Sequence, residues 1–131
     1  MRIGGVYHMK IGRLYRQDGA CVMSRVWQAD TAWQRMRGLL GRPKLRLGEG
    51  LLLAPCAAVH TFGMHYALDL VFLDRDGVLC EAVEYLPPWH VCRCTGAYQT
   101  LELAPGSLAR LGLRRGEALI WREWPCGDYG D

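Results

Sequence analysis

Residues 56–69, "CAAVHTFGMHYALD", bring a thiol, two imidazoles, a thioether and a carboxylate into one short stretch. Those groups open three chemistries. Cys56, His60 and His65 are ligand types for zinc or copper. Cys56 with His60 as base, and Asp69 orienting the far ring nitrogen, outlines a thiol nucleophile. The third reading is a buried strand whose polar side chains bond the backbone. Chain direction separates them. If 59–64 is extended, His60, Phe62 and Met64 share one face while Thr61 and Gly63 take the other. His65 then points away from His60 unless Gly63 breaks the strand, and Cys56 lies beyond a bend set by Pro55. A metal cage is therefore not expected, and no cofactor is assigned. Met64 and Phe62 read as core residues. Asp69 opens a strongly apolar strand and alone reads as a cap accepting backbone amides. Taken with His60 and Thr61, it joins a group converging on one rim.

The elements that must position these groups are mostly strands. "CVMSRVW" (21–27) is β-branched enough for a strand, and "ADTAWQRMRGLLGRP" (29–43) then changes to helical period, stopped by Gly41 and Pro43. "GLLLA" is a strand ended by Pro55. In "LDLVFLDRDGVLCEAVEY" two apolar runs flank Asp74-Arg75-Asp76-Gly77, and Asp-Gly supplies the positive φ of a tight hairpin. Leu70 to Leu73 is apolar on both faces, which predicts a two-sided, central strand. "LPPWH" (86–90) must be a loop, because consecutive prolines cannot donate to a ladder. Trp33, Trp89, Trp121 and Trp124 are expected to pack, with exposure of Trp89 beside that rigid loop, as a contact residue, the alternative. "YQTLELA" (98–104) and "EALIWREW" (117–124) are strands, with a short helix "SLARLGL" between them. The expected fold is α+β and β-dominated: a mixed, mostly antiparallel sheet or partly closed barrel with one or two short helices. Residues 21–124 form the expected single domain, preceded by an N-terminal segment (1–20) and followed by a polar tail (125–131). Met1 to His8 are given no role, since Met9 offers a second start.

At 131 residues the chain is long enough for one core without staples. Half of it is hydrophobic and 22% is charged, which excludes a disordered composition. No signal-like or membrane-length apolar run occurs, so the expected location is the cytoplasm. There the thiols Cys21, Cys56, Cys80, Cys92, Cys94 and Cys126 stay reduced, and no Cys-x-x-Cys pair points to zinc or redox work. The net charge of +3 is too small to imply nucleic acid. Arg35, Arg37, Arg42, Lys44 and Arg46 cluster, but such a run is usually a solvated face, and no interleaved aromatics follow it.

Several stretches together resemble one family: "WQRMRGLLGR" (33–42), "GEGLLLAPC" (48–56), "VHTFGMHYALDLVFLDRDG" (59–77), "LPPW" (86–89) and "LELAPGSLARLGLRRGE" (101–117). The resemblance, over roughly residues 24–121, is to the bacterial domain of unknown function 192, in the branch with His-Thr-Phe-Gly-Met before a Leu-Asp or Ile-Asp strand. It implies a compact β-rich domain without an assigned activity. Where that branch usually has arginine and phenylalanine after the methionine, this chain has His65 and Tyr66; Ala67 replaces a proline and Glu117 an aspartate. If the arginine serves an anionic ligand, His65 carries that role only when protonated. Arg35 and Arg42 match the family pattern. "LGLRRGE" (111–117) also resembles the Gly-Asp turn of small barrels, where the acid ties down neighbouring amides.

The functional expectation is a soluble binding module for a small ligand or protein partner. Its candidate surface comprises Arg35, Arg42, Cys56, His60, Thr61, Met64, His65 and Asp69. The alternatives are a small enzyme using Cys56 and His60, a metal-binding protein, and a weak binder of nucleic acid or an acidic partner through the basic cluster.

Overall fold

A computed structural model of the chain describes residues 9–29 and 43–125. The expected helix over 29–43, with Trp33, Arg35, Arg37 and Arg42, lies almost wholly outside the described residues. The described chain is β-dominated: β1 (Lys10–Arg16), β2 (Cys21–Ala29), β3 (Glu49–Leu53), β4 (Ala58–His60), β5 (Leu68–Leu73), β6 (Leu79–Leu86), β7 (Val91–Arg93), β8 (Gln99–Leu103), α1 (Ser107–Leu111) and β9 (Leu119–Glu123). Seven strands make one sheet in the order β6-β5-β8-β3-β2-β1-β9, and β4 and β7 pair separately. Only β2 and β3 run parallel among these pairs; the rest are antiparallel.

Side-chain alternation splits the large sheet's apolar residues between two cores. Leu14, Met23, Val26, Leu52, Val71, Leu73, Leu101 and Leu103 gather on one face, which Leu108 of α1 covers. Ile11, Trp27, Leu51, Leu53, Leu70 and Phe72 gather on the other with Leu45, Val59 and Met64. All of β5 is buried, as its two-sided apolar run predicts. The β4–β7 ribbon lies over the second core, with Val59 buried in it and Cys92 packed against it.

The β5–β6 hairpin turns where Asp74-Arg75-Asp76-Gly77 predicts. The Asp74 carboxylate accepts the Asp76 and Val78 amides at 2.8 and 2.9 Å, and Gly77 has φ +83°. This turn also brings the two ends of the sheet together. Val78 bridges Ala118, Leu79 N–H donates to the Glu117 carbonyl at 2.8 Å, and Leu119 N–H donates to the Gly77 carbonyl at 2.9 Å. The edge strands meet at this corner only, so the sheet curls back on itself without closing into a barrel. Beside the corner, Glu117 accepts the Arg114 amide at 3.1 Å and pairs with Arg16, whose guanidinium also donates to the Leu111 carbonyl at 2.8 Å. Glu117 thus ties down a neighbouring amide, as the turn resemblance implies.

Strand β1 falls inside the segment set apart from the domain at the sequence level, yet it sits between β2 and β9 in the sheet. Its pattern is diluted by basic residues and by Gly12, which the packing itself requires. A Cβ at Gly12 would lie 2.3 Å from the Arg122 carbonyl oxygen and 2.6 Å from the Trp121 ring.

Gly77 combines such an approach with its positive φ, since a Cβ there would lie 2.4 Å from the Leu119 carbonyl oxygen. Gly19 has a similar φ of +93° but open space around it. Gly77→Ala is therefore expected to lose clearly more than the roughly 1 kcal/mol of an alanine held at positive φ, and Gly19→Ala to lose only that. Urea midpoints of the two variants check the difference; equal losses would deny the corner its role.

Candidate functional site

Residues 56–69 divide at Thr61. Strand β4 ends at His60, and the Met64 amide then donates to the Thr61 carbonyl at 3.1 Å across a turn containing Gly63 at φ +82°. The extended run expected through Met64 does not form, because glycine supplies a conformation that reverses the chain. Met64 consequently drops into the core while Phe62 stays outside, 44% exposed. Phe62 is not the core residue that the alternation predicts.

Thr61 is fully buried and holds the "LPPWH" loop. Its hydroxyl donates to the Pro87 carbonyl at 2.6 Å and accepts the His90 amide at 3.0 Å. Its amide donates to the His90 carbonyl at 2.8 Å, and its carbonyl accepts the Trp89 amide at 3.0 Å. Trp89 is held at φ +67°, an uncommon backbone state for a bulky residue that costs on the order of 1–3 kcal/mol. The outcome is a row of rings at the surface. His60 and Phe62 have centroids 5.1 Å apart and inclined by 30°; Phe62 and Trp89 are 6.0 Å apart and inclined by 26°. Trp89 is 68% exposed. Val91, opposite His60 in the ribbon, and Arg93, opposite Ala58, continue the same outward face.

Backbone contacts orient both histidines of this region. Phe62 N–H donates to His60 Nδ1 at 3.3 Å, so the proton of the neutral ring sits on Nε2. His90 Nδ1 lies 2.9 Å from the Pro88 carbonyl, which can only accept, so that ring carries its proton on Nδ1. In the neutral rings these contacts leave His60 Nε2–H as a donor and His90 Nε2 as an acceptor.

Asp69 belongs to a different network. It is fully buried, and its two oxygens accept Tyr85 N–H at 3.0 Å and Leu108 N–H at 2.9 Å. The first bond holds a bulge in β6, where pairing slips from Leu68↔Leu86 to Leu70↔Val83 and Tyr85 takes φ +53°. The second anchors the first turn of α1. Asp69 thus acts on the backbone and does not join His60 at a rim.

Cys56 is half-buried against the second core, where its thiol donates to the Ala58 carbonyl at 3.2 Å and its carbonyl accepts the Thr100 hydroxyl at 3.0 Å. His65 is exposed. The four groups proposed for ligation or catalysis stand apart: among the described residues, no three His, Cys, Asp or Glu side chains gather closely enough for a metal ion. Cys92 and Cys94 are pushed up in pKa by burial, and Cys92 further by Glu81; for Cys94 the Cys80, Glu81 and Cys92 groups add to the effect. A raised thiol pKa leaves less thiolate at neutral pH. Both thiols should therefore react with iodoacetamide at pH 7 more slowly than free cysteine, with rates that climb only at more alkaline pH; a fast phase assigned to either by peptide mapping would contradict this.

Phe62 and Trp89 are the residues that alternation and composition do not reveal together. Their one sequence signal is Trp89 beside a proline pair, because proximity to Phe62 depends on the Thr61 bonds. Asp69→Asn places an amide group against one of two N–H donors, and Thr61→Val strands the Pro87 and His90 backbone groups. Each should lower stability by about 1–3 kcal/mol, whereas His60→Ala should leave it nearly unchanged. Chemical unfolding of the three variants provides the comparison.

A family model for domain of unknown function 192, described as "Uncharacterized ACR", matches residues 14–121. Two crystal structures share the fold. One is a putative transcription regulator from Sinorhizobium meliloti 1021, 23% identical, with a TM-score of 0.73 over 86% of this chain and 93% of that one. The other is a protein of unknown function from Novosphingobium aromaticivorans DSM 12444, 22% identical, with a TM-score of 0.70 over 86% of this chain and 85% of that one. No curated protein matches the sequence.

Proposed function

We propose that this chain, which belongs to the domain of unknown function 192 family, is a binding module that recognises a ring-bearing ligand or partner segment on its His60–Phe62–Trp89 surface. One observation carries the reading: three consecutive rings are held at the surface by a buried threonine that bonds the supporting backbone. Exposed aromatic side chains give up water readily and lose little conformational freedom on binding. Keeping Trp89 in a left-handed backbone conformation works against stability, and such strain concentrates at functional sites. The neutral-ring donor of His60 and acceptor of His90 give the surface a polar pattern beside its rings. The candidate site thus contracts to His60 and Thr61 of the residues first assigned to it, joined by Phe62, Trp89 and His90.

The variant Trp89→Gly separates recognition from folding. Glycine accepts positive φ without strain, so its unfolding midpoint should be unchanged or higher. Binding should fall by roughly tenfold or more, the scale of losing one stacked ring. The assay follows Phe62 ring and Trp89 indole resonances with three probes: a proline-rich peptide, a neutral oligosaccharide and a short single-stranded oligonucleotide. At least one should move both signals in the native chain and bind Trp89→Gly roughly tenfold or more weakly. If all three leave these signals in place, the surface is not a ring-recognition site.

A further inference from the structure

A concave feature lies on the β1–β9 pair, at one edge of the large sheet, whereas the ring surface belongs to the separate β4–β7 ribbon and its loops. It is a hollow of about 300 Å³ lined by Tyr15, Arg16, Gln17, Gly19, Ile120 and Arg122. Strand register builds it. Tyr15 stands opposite Ile120 and Arg13 opposite Arg122. Directly opposed residues point the same way, and so do residues two apart along a strand. Tyr15, Ile120 and Arg122 therefore project to one side, while Leu14 and Leu119 are buried on the other.

The lining has two characters. The Tyr15 ring and Ile120, 39% exposed, form an apolar bed. Arg16, Gln17 and Arg122 complete the lining, although Arg16 stands opposite Leu119 and so leaves its strand on the side away from Tyr15. The two arginines are not equivalent. Arg16 is committed: its charge is matched by Glu117, and its fork donates to the Leu111 carbonyl at 2.8 Å. Arg122 makes no ion pair or side-chain hydrogen bond among the described residues. Asp18, the acid of the adjoining turn, directs Oδ1 to the Ala20 amide at 2.9 Å. The hollow therefore presents one uncommitted guanidinium above an apolar surface, with volume at the lower end of the range for small-molecule sites.

We propose that this hollow binds a small monoanion with an apolar body, of the class of aromatic and branched-chain carboxylates. The carboxylate pairs with the Arg122 fork, a geometry that guanidinium favours over any other cationic side chain. The ring or branched alkyl group lies on Tyr15 and Ile120 and removes their surface from water. Arg16, fixed by Glu117, bounds the hollow and holds its shape. Among the described residues that line the hollow, Arg122 is the cation without an acidic partner, which suits a single negative charge, and the apolar bed selects against inorganic anions.

The test uses the full chain, with amide resonances followed during titration with benzoate, 3-methylbutanoate, benzamide and chloride. Benzoate and 3-methylbutanoate should shift Tyr15, Gln17, Ile120 and Arg122. Benzamide, the uncharged isostere, and chloride should fail to do so at equal concentration. Arg122→Gln should weaken benzoate binding by roughly tenfold or more, consistent with loss of a charge-assisted pair, while Trp89→Gly leaves it unchanged. No shift at about 10 mM carboxylate, where a millimolar site is nearly saturated, overturns the proposal. So do equal shifts with benzamide, or undiminished binding in Arg122→Gln.

Discussion

A single buried carboxylate organises the part of this domain that faces outward. Asp69 sits within a wholly buried strand, where an unbonded polar group costs several kcal/mol. It meets that cost by accepting two backbone amides from different elements, Tyr85 in β6 and Leu108 in α1. The Tyr85 bond fixes a bulge, and the bulge redirects the end of β6 into the proline loop. That loop then reaches Thr61, whose bonds set Trp89 beside Phe62. The surface rings therefore depend on a group that never reaches the surface.

Much of the frame was legible in the residues because its signals are local. Asp74 to Gly77 carries its own turn chemistry, and the two-faced apolar run of β5 needs burial on both sides in any context. Gly112, in a left-handed conformation, caps α1 within the stretch read as a short helix. The features that escaped depend on distant partners. Strand β1 hides because Gly12 makes room for Trp121, more than a hundred positions later. The ribbon of β4 and β7 has only three residues on each side, too few for alternation to register.

The site was read less well than the frame, for the same reason. Treating 59–64 as extended put Phe62 and Met64 on one face, and the Gly63 turn sends them to opposite ones. His60 and Asp69 lie close in sequence, yet one joins a surface ring series and the other a backbone network. Residue type correctly marks both as polar groups needing partners. Which partners they find is decided by β6, α1 and the proline loop, none of which the segment itself encodes.

Thr61 reaches the proline loop entirely through main-chain atoms of Pro87, Trp89 and His90. Such a clasp is indifferent to what those residues carry beyond the backbone. A change of side chain at position 89 therefore leaves the Thr61 bonds in place and the loop on its path. The domain has, in effect, a mount separate from the group it carries.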